Sequence, residues 1–346
     1  MAVLLDDFFM RRTRLPVVDV RSENEFLQGH IPGAINIPLL NNAERAQVGT
    51  DYKQKGPSQA IKTGFRLVGP RLAEIVAATE QVAAGGEILV HCWRGGMRSN
   101  FFCQFVGMAQ IKAVPLAGGY KAYRQRAMEL FQRPLQLITL GGCTGSGKTE
   151  LLAQLAEAGE QVIDLEALAR HKGSVFGGLM QPPQPTTEQF HNFLFEQLFR
   201  INPARPVWVE DESIAIGHVF LPGDFWDQLN QSPIVEIVLP KPQRVQRLVA
   251  EYGLADRDEF IAAIQKISKR LGGLAQQEAV KFVLAGNMSA AIEILLSYYD
   301  RTYEFGLAKK MEVGRIRHRV AWNGENSKGA VQELLRYSRE FRAAGA

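Results

Sequence analysis

The sequence predicts an α/β protein of two domains, and three observations carry that reading. Short apolar runs alternate with helical stretches, the pattern of mainly parallel sheets covered on both faces. Two of those runs end in glycine-rich turns that lead straight into helices, at His91-Cys92-Trp93-Arg94-Gly95-Gly96-Met97-Arg98-Ser99 and at Gly142 to Thr149. Between them, Gln132-Arg133-Pro134 breaks the pattern, which divides the 346 residues into spans 1–132 and 135–346.

Apolar residues make up 46% of the chain, enough for ordinary cores. The net charge of +4, with a pI near 8.9, permits an anionic partner without demanding one. Three cysteines, an odd number without disulfide-framework spacing, suit a reducing compartment. The start, Met1 to Phe9, lacks a basic targeting segment, and no run of 18 apolar residues exists. The expectation is a cytoplasmic protein with no membrane span.

In the first domain, Leu15 to Arg21 reads as a strand ending in charge. Ser22 opens a helical turn as N-cap, with Glu25 at the capping-box position. Gly29-His30-Ile31-Pro32-Gly33-Ala34 turns into the strand Ile35-Asn36-Ile37. A long helix is predicted from Phe65 to Ala83, stopped by Gly85-Gly86 before the strand Glu87 to Val90. A helix follows from Asn100, then the strand Ala113 to Leu116, then a Gly118-Gly119 turn into a helix from Tyr120 to Phe131.

Cys92 thus sits at a strand-to-helix turn. Glycines let the backbone curl, helix N–H groups point back at the sulfur, and Arg94 and Arg98 add positive charge. All of this favours thiolate over thiol. A structural cysteine would sit among apolar side chains, as Cys103 does among phenylalanines. Asp19 and Arg21 read as a pair that holds the loop, and His30 as a turn-stabilising donor or acceptor.

Asp19-Val20-Arg21-Ser22, Glu25-Phe26 and Gly29 to Pro38 resemble a rhodanese-homology domain, and Cys92 falls where the rhodanese nucleophile belongs. The resemblance covers roughly the first 130 residues. It implies a cysteine that carries sulfur or selenium as a persulfide or its selenium equivalent. A competing pattern is also satisfied. His91-Cys92, five residues, then Arg98-Ser99 is the spacing of cysteine-dependent phosphatases, in which the arginine binds phosphate bidentately. Loop length leaves both chemistries open.

The second domain opens with the strand Leu135 to Leu140. Gly142-Cys143-Thr144-Gly145-Ser146-Gly147-Lys148-Thr149 and the helix from Glu150 then complete a P-loop in its confirming context. Successive N–H groups at Gly142, Gly145, Ser146 and Gly147 converge on phosphate, Lys148 reaches the distal phosphate, and Thr149 is placed for Mg²⁺. Gln161 to Glu166 reads as a strand with an acidic end, and Ala169 to Gly178 as a donor-rich loop for an anion or as plain surface. The strand Pro206 to Ser213 ends in three carboxylates. Glu210 or Asp211 is the natural second element for Mg²⁺. After the strand Ile234 to Leu239, Arg244 and Arg247 stand three apart, either as lid arginines over phosphates or as a solvated face. Residues from Arg257 to Phe305 read as mostly helical, with Tyr298, Tyr299 and Tyr303 as core. Arg315, Arg317 and Arg319 alternate on one strand face, suited to a nucleic-acid backbone or to guarding a sheet edge.

A rhodanese-like domain followed by a P-loop domain resembles the tRNA 2-selenouridine synthase family. Cys92 to Ser99, Gly142 to Thr149, Asp164-Leu165-Glu166 with Gly173-Ser174, and Glu210-Asp211-Glu212-Ser213 look like that family's blocks, in order. The resemblance implies a modifier of the wobble uridine of tRNA. Members replace the sulfur of 2-thiouridine with selenium from selenophosphate, and also attach a geranyl group from geranyl diphosphate to that sulfur. On that reading Lys148 and Thr149 cradle the diphosphate, and Cys92 handles selenium. A P-loop kinase with a regulatory rhodanese domain, a cysteine phosphatase, and a tRNA-binding module without activity are the alternatives.

Overall fold

The computed structural model describes residues 2–84 and 86–344. Met1, Gly85, Gly345 and Ala346 lie outside the described residues, and with them the outer ends of the two predicted spans and the first glycine of the Gly85-Gly86 stop. The chain divides into two compact units, residues 1–130 with 191–196, and residues 131–190 with 197–346. The return of 191–196 to the first unit, from inside the helix Thr187–Arg200, has no signature in the sequence pattern.

The first unit holds four parallel strands, β1 (Val17–Asp19), β2 (Ile35–Asn36), β3 (Glu87–His91) and β4 (Lys112–Pro115), in the order β2-β1-β3-β4. Ile88, Leu89 and Val90 of β3 are fully buried, as a central parallel strand covered on both faces requires. Val18, Val90, Phe102 and Val106 share one core cluster. The predicted helix from Phe65 to Ala83 is instead Pro57–Val68, a 3₁₀ turn Gly69–Arg71, and Leu72–Val82. Pro70 is the cause: it has no N–H and crowds the preceding turn, so the α ladder breaks there. Two helices the pattern leaves unassigned are Leu5–Arg11 and Asn42–Lys55, the latter opened by an Asn41–Glu44 capping box.

The second unit's main sheet comprises β5 (Leu137–Gly142), β6 (Gln161–Ile163), β7 (Val207–Glu210), β10 (Ile234–Val238) and β11 (Ile316–Ala321). β8 (Ala215–Ile216) and β9 (Val219–Phe220) form a small antiparallel hairpin apart from it. The order β11-β10-β5-β7-β6 is parallel throughout. Parallel strands place all their C-terminal ends on one edge, so the turns after β5, β6 and β7 gather there. The predicted strands overrun into that edge. Gln161–Glu166 stops at Ile163, because the Asp164 side chain accepts from Ala167 N at 2.7 Å and starts the helix Leu165–Ala169. Beyond Arg257 the chain forms the helices Arg257–Lys266, Ser268–Leu271, Gly273–Leu284 and Met288–Glu312. Gly272 and Gly286 mark the breaks, and Asn287 caps the last helix through Ala290 N. These helices bury Phe260, Ile264, Ile292, Leu295 and Leu296 in a core shared with Phe176, Val245 and Leu248. Among the described residues no helix is long and apolar enough to cross a membrane.

Candidate functional site

Cys92 follows β3 and is 3% exposed. Its Sγ lies 3.3 Å from Ser99 Oγ, which in turn lies 3.1 Å from Gly96 O. As a thiol, Cys92 donates to Ser99 and Ser99 donates to Gly96. As a thiolate the sulfur needs donors, and the Ser99 hydroxyl is placed to turn its hydrogen toward it. Burial raises the thiol's pKa, but Ser99, the N–H groups of Ser99 and Arg94, and the Arg98 charge outweigh it, so the thiol sits below its ordinary range.

The loop is held from behind. A Cβ on Gly119, at φ +57°, would run into Cys92 O and Gly95 N, so these two backbones touch only as glycines. Tyr120 N donates to Cys92 O and Lys121 N to Trp93 O, both at 2.9 Å. The start of the helix Gly119–Phe131 thus fixes the loop's carbonyls and leaves its N–H groups for the sulfur. Arg94 is exposed. Arg98 grips Glu25 through both guanidinium arms, at 2.6 and 3.2 Å, while Glu25 also caps the helix at Ser22 N, so a phosphate at Cys92 would compete with that carboxylate. Asp19 and Arg21 form a buried pair at 2.6 Å, with Arg21 also donating to Gly29 O, which is the loop-holding role expected of them. His30 Nδ1 meets Phe26 O at 2.9 Å across the turn. Burial pushes the Cys103 thiol up to about 12, as suits a core cysteine.

In the second unit the P-loop runs from the end of β5 to the helix Lys148–Glu157. Gly147 is left-handed at φ +86°, and a side chain there would strike Trp322, whose Nε1 donates to Ser146 O at 3.0 Å. Lys148 Nζ rests on Gly142 O at 3.0 Å. Burial holds the Cys143 thiol up at about 11, consistent with no redox part for it. Gly142, Gly145, Ser146, Gly147, Lys148 and Thr149 line a cleft of about 690 Å³, with Lys172, Gly173 and Ser174 opposite. A narrow apolar annex of about 20 Å³ adjoins it, walled by Phe176, Leu248, Phe260, Ile292, Leu295 and Leu296. Thr144, Ser174, Leu248, Tyr252 and Tyr299 line both.

The lid arginines part company. Arg247 lines the cleft, lies over Trp322 and pairs with Glu150 at 2.7 Å. Arg244 is held behind the loop: its buried guanidinium is bidentate to Asp300 at 2.7 and 2.8 Å and donates to Leu239 O and to the P-loop carbonyl of Thr144, bracing two helices. The carboxylates also sort themselves. Glu210 is fully buried and accepts from Leu165 N at 2.8 Å; burial, Asp164 and Glu166 push its pKa well up, and it lies outside the cleft lining. Asp211 lines the cleft, paired with Lys310 at 2.5 Å. Glu166 and Glu212 line it too. Burial and the facing Glu166 raise Glu212 to about 8, and Thr149 Oγ1 donates to Glu166 at 3.4 Å.

That donor set fits Mg²⁺. Two crowded carboxylates beside a P-loop hydroxyl want a cation, and Mg²⁺ takes one or two carboxylates and completes its shell with water and phosphate oxygens. Thr149 with Glu166, Glu212 or Asp211 would hold it, although among the described residues no group of three or more His, Cys, Asp or Glu forms a metal site unaided. Of the arginine row at the β11 edge, Arg315 donates to Ser232 O, Leu229 O and Asn230 Oδ1, and Arg319 pairs with Glu236 at 2.7 Å. Arg317 is exposed.

Comparison with known proteins fits both halves of this geometry. Residues 135–328 match the family model described as the tRNA 2-selenouridine synthase AAA domain, and residues 5–126 match the rhodanese-like domain. The chain belongs to the tRNA 2-selenouridine synthase family. A protein of that name from Nitrosomonas europaea is 36% identical over 303 residues, covering 76% of this chain and 78% of the relative. One from Bdellovibrio bacteriovorus is 35% identical over 343 residues, covering 86% and 90%. One from Nitrosomonas eutropha is 34% identical over 347 residues, covering 85% and 89%.

In this member of the family, sequence reasoning passed over several site residues. Ser99, Glu25 and Gly119 build the cysteine loop from 7, 67 and 27 positions away in the chain (99 − 92, 92 − 25, 119 − 92). Glu166 and Glu212 stand side by side in the P-loop cleft, and Tyr299 and Tyr303, read as core, line it. The runs Asp164-Leu165-Glu166 and Glu210-Asp211-Glu212 flagged the acidic edge without saying which carboxylate points in.

Proposed function

We propose that this chain is a transferase that replaces sulfur by selenium in 2-thiouridine at wobble position 34 of tRNA, by way of an S-geranyl intermediate. Membership of the family over nearly the whole chain carries the reading, and the apolar annex beside the phosphate cleft, now about the size of one water, is where an isoprenoid chain would have to open a path. A geranyl chain would spread the annex walls while its diphosphate takes the P-loop N–H groups and Lys148.

In the first step the thione sulfur attacks C1 of geranyl diphosphate. The C1–O bond breaks and diphosphate leaves with the electron pair, its charge met by Lys148 and the loop N–H groups. Mg²⁺, when bound, adds further charge neutralisation to the leaving diphosphate. The N3 proton passes to water. In the second step the selenium of selenophosphate attacks C2, the C2–S bond breaks, and geranylthiol leaves after taking a proton. Water then cleaves the P–Se bond, releasing phosphate and leaving the C2 selenone. Cys92, with Arg94 and Arg98 near it, serves the selenium step. A tRNA-modifying role and three free cysteines suit the cytoplasm.

Incubating 2-thiouridine tRNA with selenophosphate and geranyl diphosphate, then analysing nucleosides by mass spectrometry, tests this. The parent should yield selenouridine. Cys92→Ala should lose it and accumulate S-geranyl-2-thiouridine, whereas Lys148→Ala should lose both. Loss of geranylation in folded, tRNA-binding Cys92→Ala would mean that the cysteine belongs to a shared site. Steady ATP turnover without any modified nucleoside would overturn the reading in favour of a kinase.

A further inference from the structure

A second cleft, of about 440 Å³, adjoins the phosphate cleft, and Thr144, Asp211, Glu212, Tyr299 and Tyr303 line both. Its size lies in the ordinary range for small-molecule sites, about 300–1,000 Å³. Its character differs from the apolar annex. Trp226 and Tyr303 offer aromatic surface, while Ser213, Asn230, Thr302 and Lys310 offer hydrogen-bonding groups. Nothing in the activity proposed above uses these residues.

Two helices supply its aromatic walls. Trp226 comes from the helix Gly223–Leu229. Tyr299, Tyr303, Gly306 and Lys310 recur at three- and four-residue steps along Met288–Glu312, so one helix face supplies them all. The Tyr303 hydroxyl is buried, with only the Gly142 N–H near its oxygen and no acceptor for its own hydrogen. A buried O–H donor without an acceptor is costly, and a ligand edge at the junction of the clefts would satisfy it.

We infer that this second cleft seats the target pyrimidine of a single-stranded RNA loop. The inference rests on the alkylation reading, which requires the acceptor base to approach the carbon next to the bound diphosphate. Thr144 and Tyr299 line the phosphate cleft, the apolar annex and this second cleft alike. Diphosphate, isoprenoid chain and base would therefore converge on that pair, which is where the S–C1 bond has to form. A base in an unpaired loop is already accessible, so little unstacking opposes its entry. Stacking on an aromatic face is indifferent to base identity, whereas Ser213, Asn230 and the Tyr303 hydroxyl can read the pyrimidine edge.

The test uses a synthetic anticodon-type RNA hairpin with 2-thiouridine in its loop, and the full-length protein. Trp226→Ala should raise KM for the hairpin in the geranylation step about fivefold to 150-fold, the range that loss of one stacked base gives. Geranyl diphosphate binding, read by calorimetry, should stay within twofold. Tyr303→Phe keeps the ring and the fold, and should raise the hairpin KM several-fold by losing only the hydroxyl. A hairpin with 5-iodo-2-thiouridine at the target position, irradiated on the unaltered protein, should crosslink to peptides holding Trp226, Tyr299 or Tyr303. Crosslinks elsewhere, in a hairpin that is bound and modified, overturn the inference and leave the activity intact. A hairpin neither bound nor modified overturns the activity reading, and the inference with it.

Discussion

Replacing Ser99 with Ala isolates what makes Cys92 reactive. The hydroxyl lies 3.3 Å from Sγ, one of three donors that favour the thiolate beside the backbone N–H groups of Arg94 and Ser99. Hydrogen bonds to charged groups contribute about 1.5–3 kcal/mol, and the sulfur keeps its other donors, so the low end applies. At about 1.4 kcal/mol per pKa unit, the thiol pKa should rise by about one unit in Ser99→Ala. The sign follows from the charged form. Donors stabilise thiolate and hold the pKa below its ordinary value, so losing one moves it up. Ser99 is fully buried, and Gly96 O also loses its donor, so a stability loss of about 1 kcal/mol accompanies the shift. The assay is the pH dependence of iodoacetamide labelling, resolved by peptide mass spectrometry. Cys92 should label at lower pH than Cys103 and Cys143, whose pKa values burial holds up at about 12 and about 11. An unchanged midpoint in Ser99→Ala would refute the hydroxyl as donor and leave the backbone N–H groups to account for the depressed pKa.

Two further substitutions follow from the second unit. Arg244→Ala breaks a mostly buried bidentate pair with Asp300. Because Asp300 is 19% exposed it can rehydrate, so the loss should be about 3 kcal/mol, or roughly 10 °C in Tm by calorimetry. Wild-type Tm with weakened diphosphate binding would restore the lid role. Arg317→Ala should flatten the salt dependence of tRNA binding by about 0.9 log unit, one phosphate contact. The triple change with Arg315 and Arg319 should add little, because those two already hold Leu229, Ser232 and Glu236.

The strands of the two parallel sheets were legible because each is an apolar run closed by glycine, charge or proline, and a parallel sheet buries such runs on both faces; the short hairpin over residues 215–220 has no such run and was not legible. Their exact ends were not. Asp164 reads equally well as the charged tip of a strand or as a helix cap, and only the position of Ala167 N decides. The cysteine loop was legible in composition but not in its support. Gly95 and Gly119 announce flexibility in sequence, whereas their reason is contact with each other. Arg98 announces positive charge, but Glu25 shares it from 73 residues away. Periodicity likewise put Arg244 and Arg247 on one helix face and could not show that one is buried on Asp300 while the other stays at the cleft.

The tyrosines show where such a limit lies. A stripe at helical spacing looks the same whether it meets a core or an open cleft, so Tyr299 and Tyr303 read as packing. What distinguishes them is how the stripe continues. Ile292, Leu295 and Leu296 are buried in the helical core, as an uninterrupted apolar face requires. Past Tyr303 the same face runs to Gly306 and Lys310, and Lys310 ends on Asp211 at the acidic sheet edge. A core face does not finish in glycine and a paired lysine; a face that leaves the core to wall a polar cleft does. The change from aliphatic to aromatic to charged along one helix therefore marks the passage from packing to site, with Tyr299 at the crossing because it alone borders the annex and both clefts among the residues of that stripe.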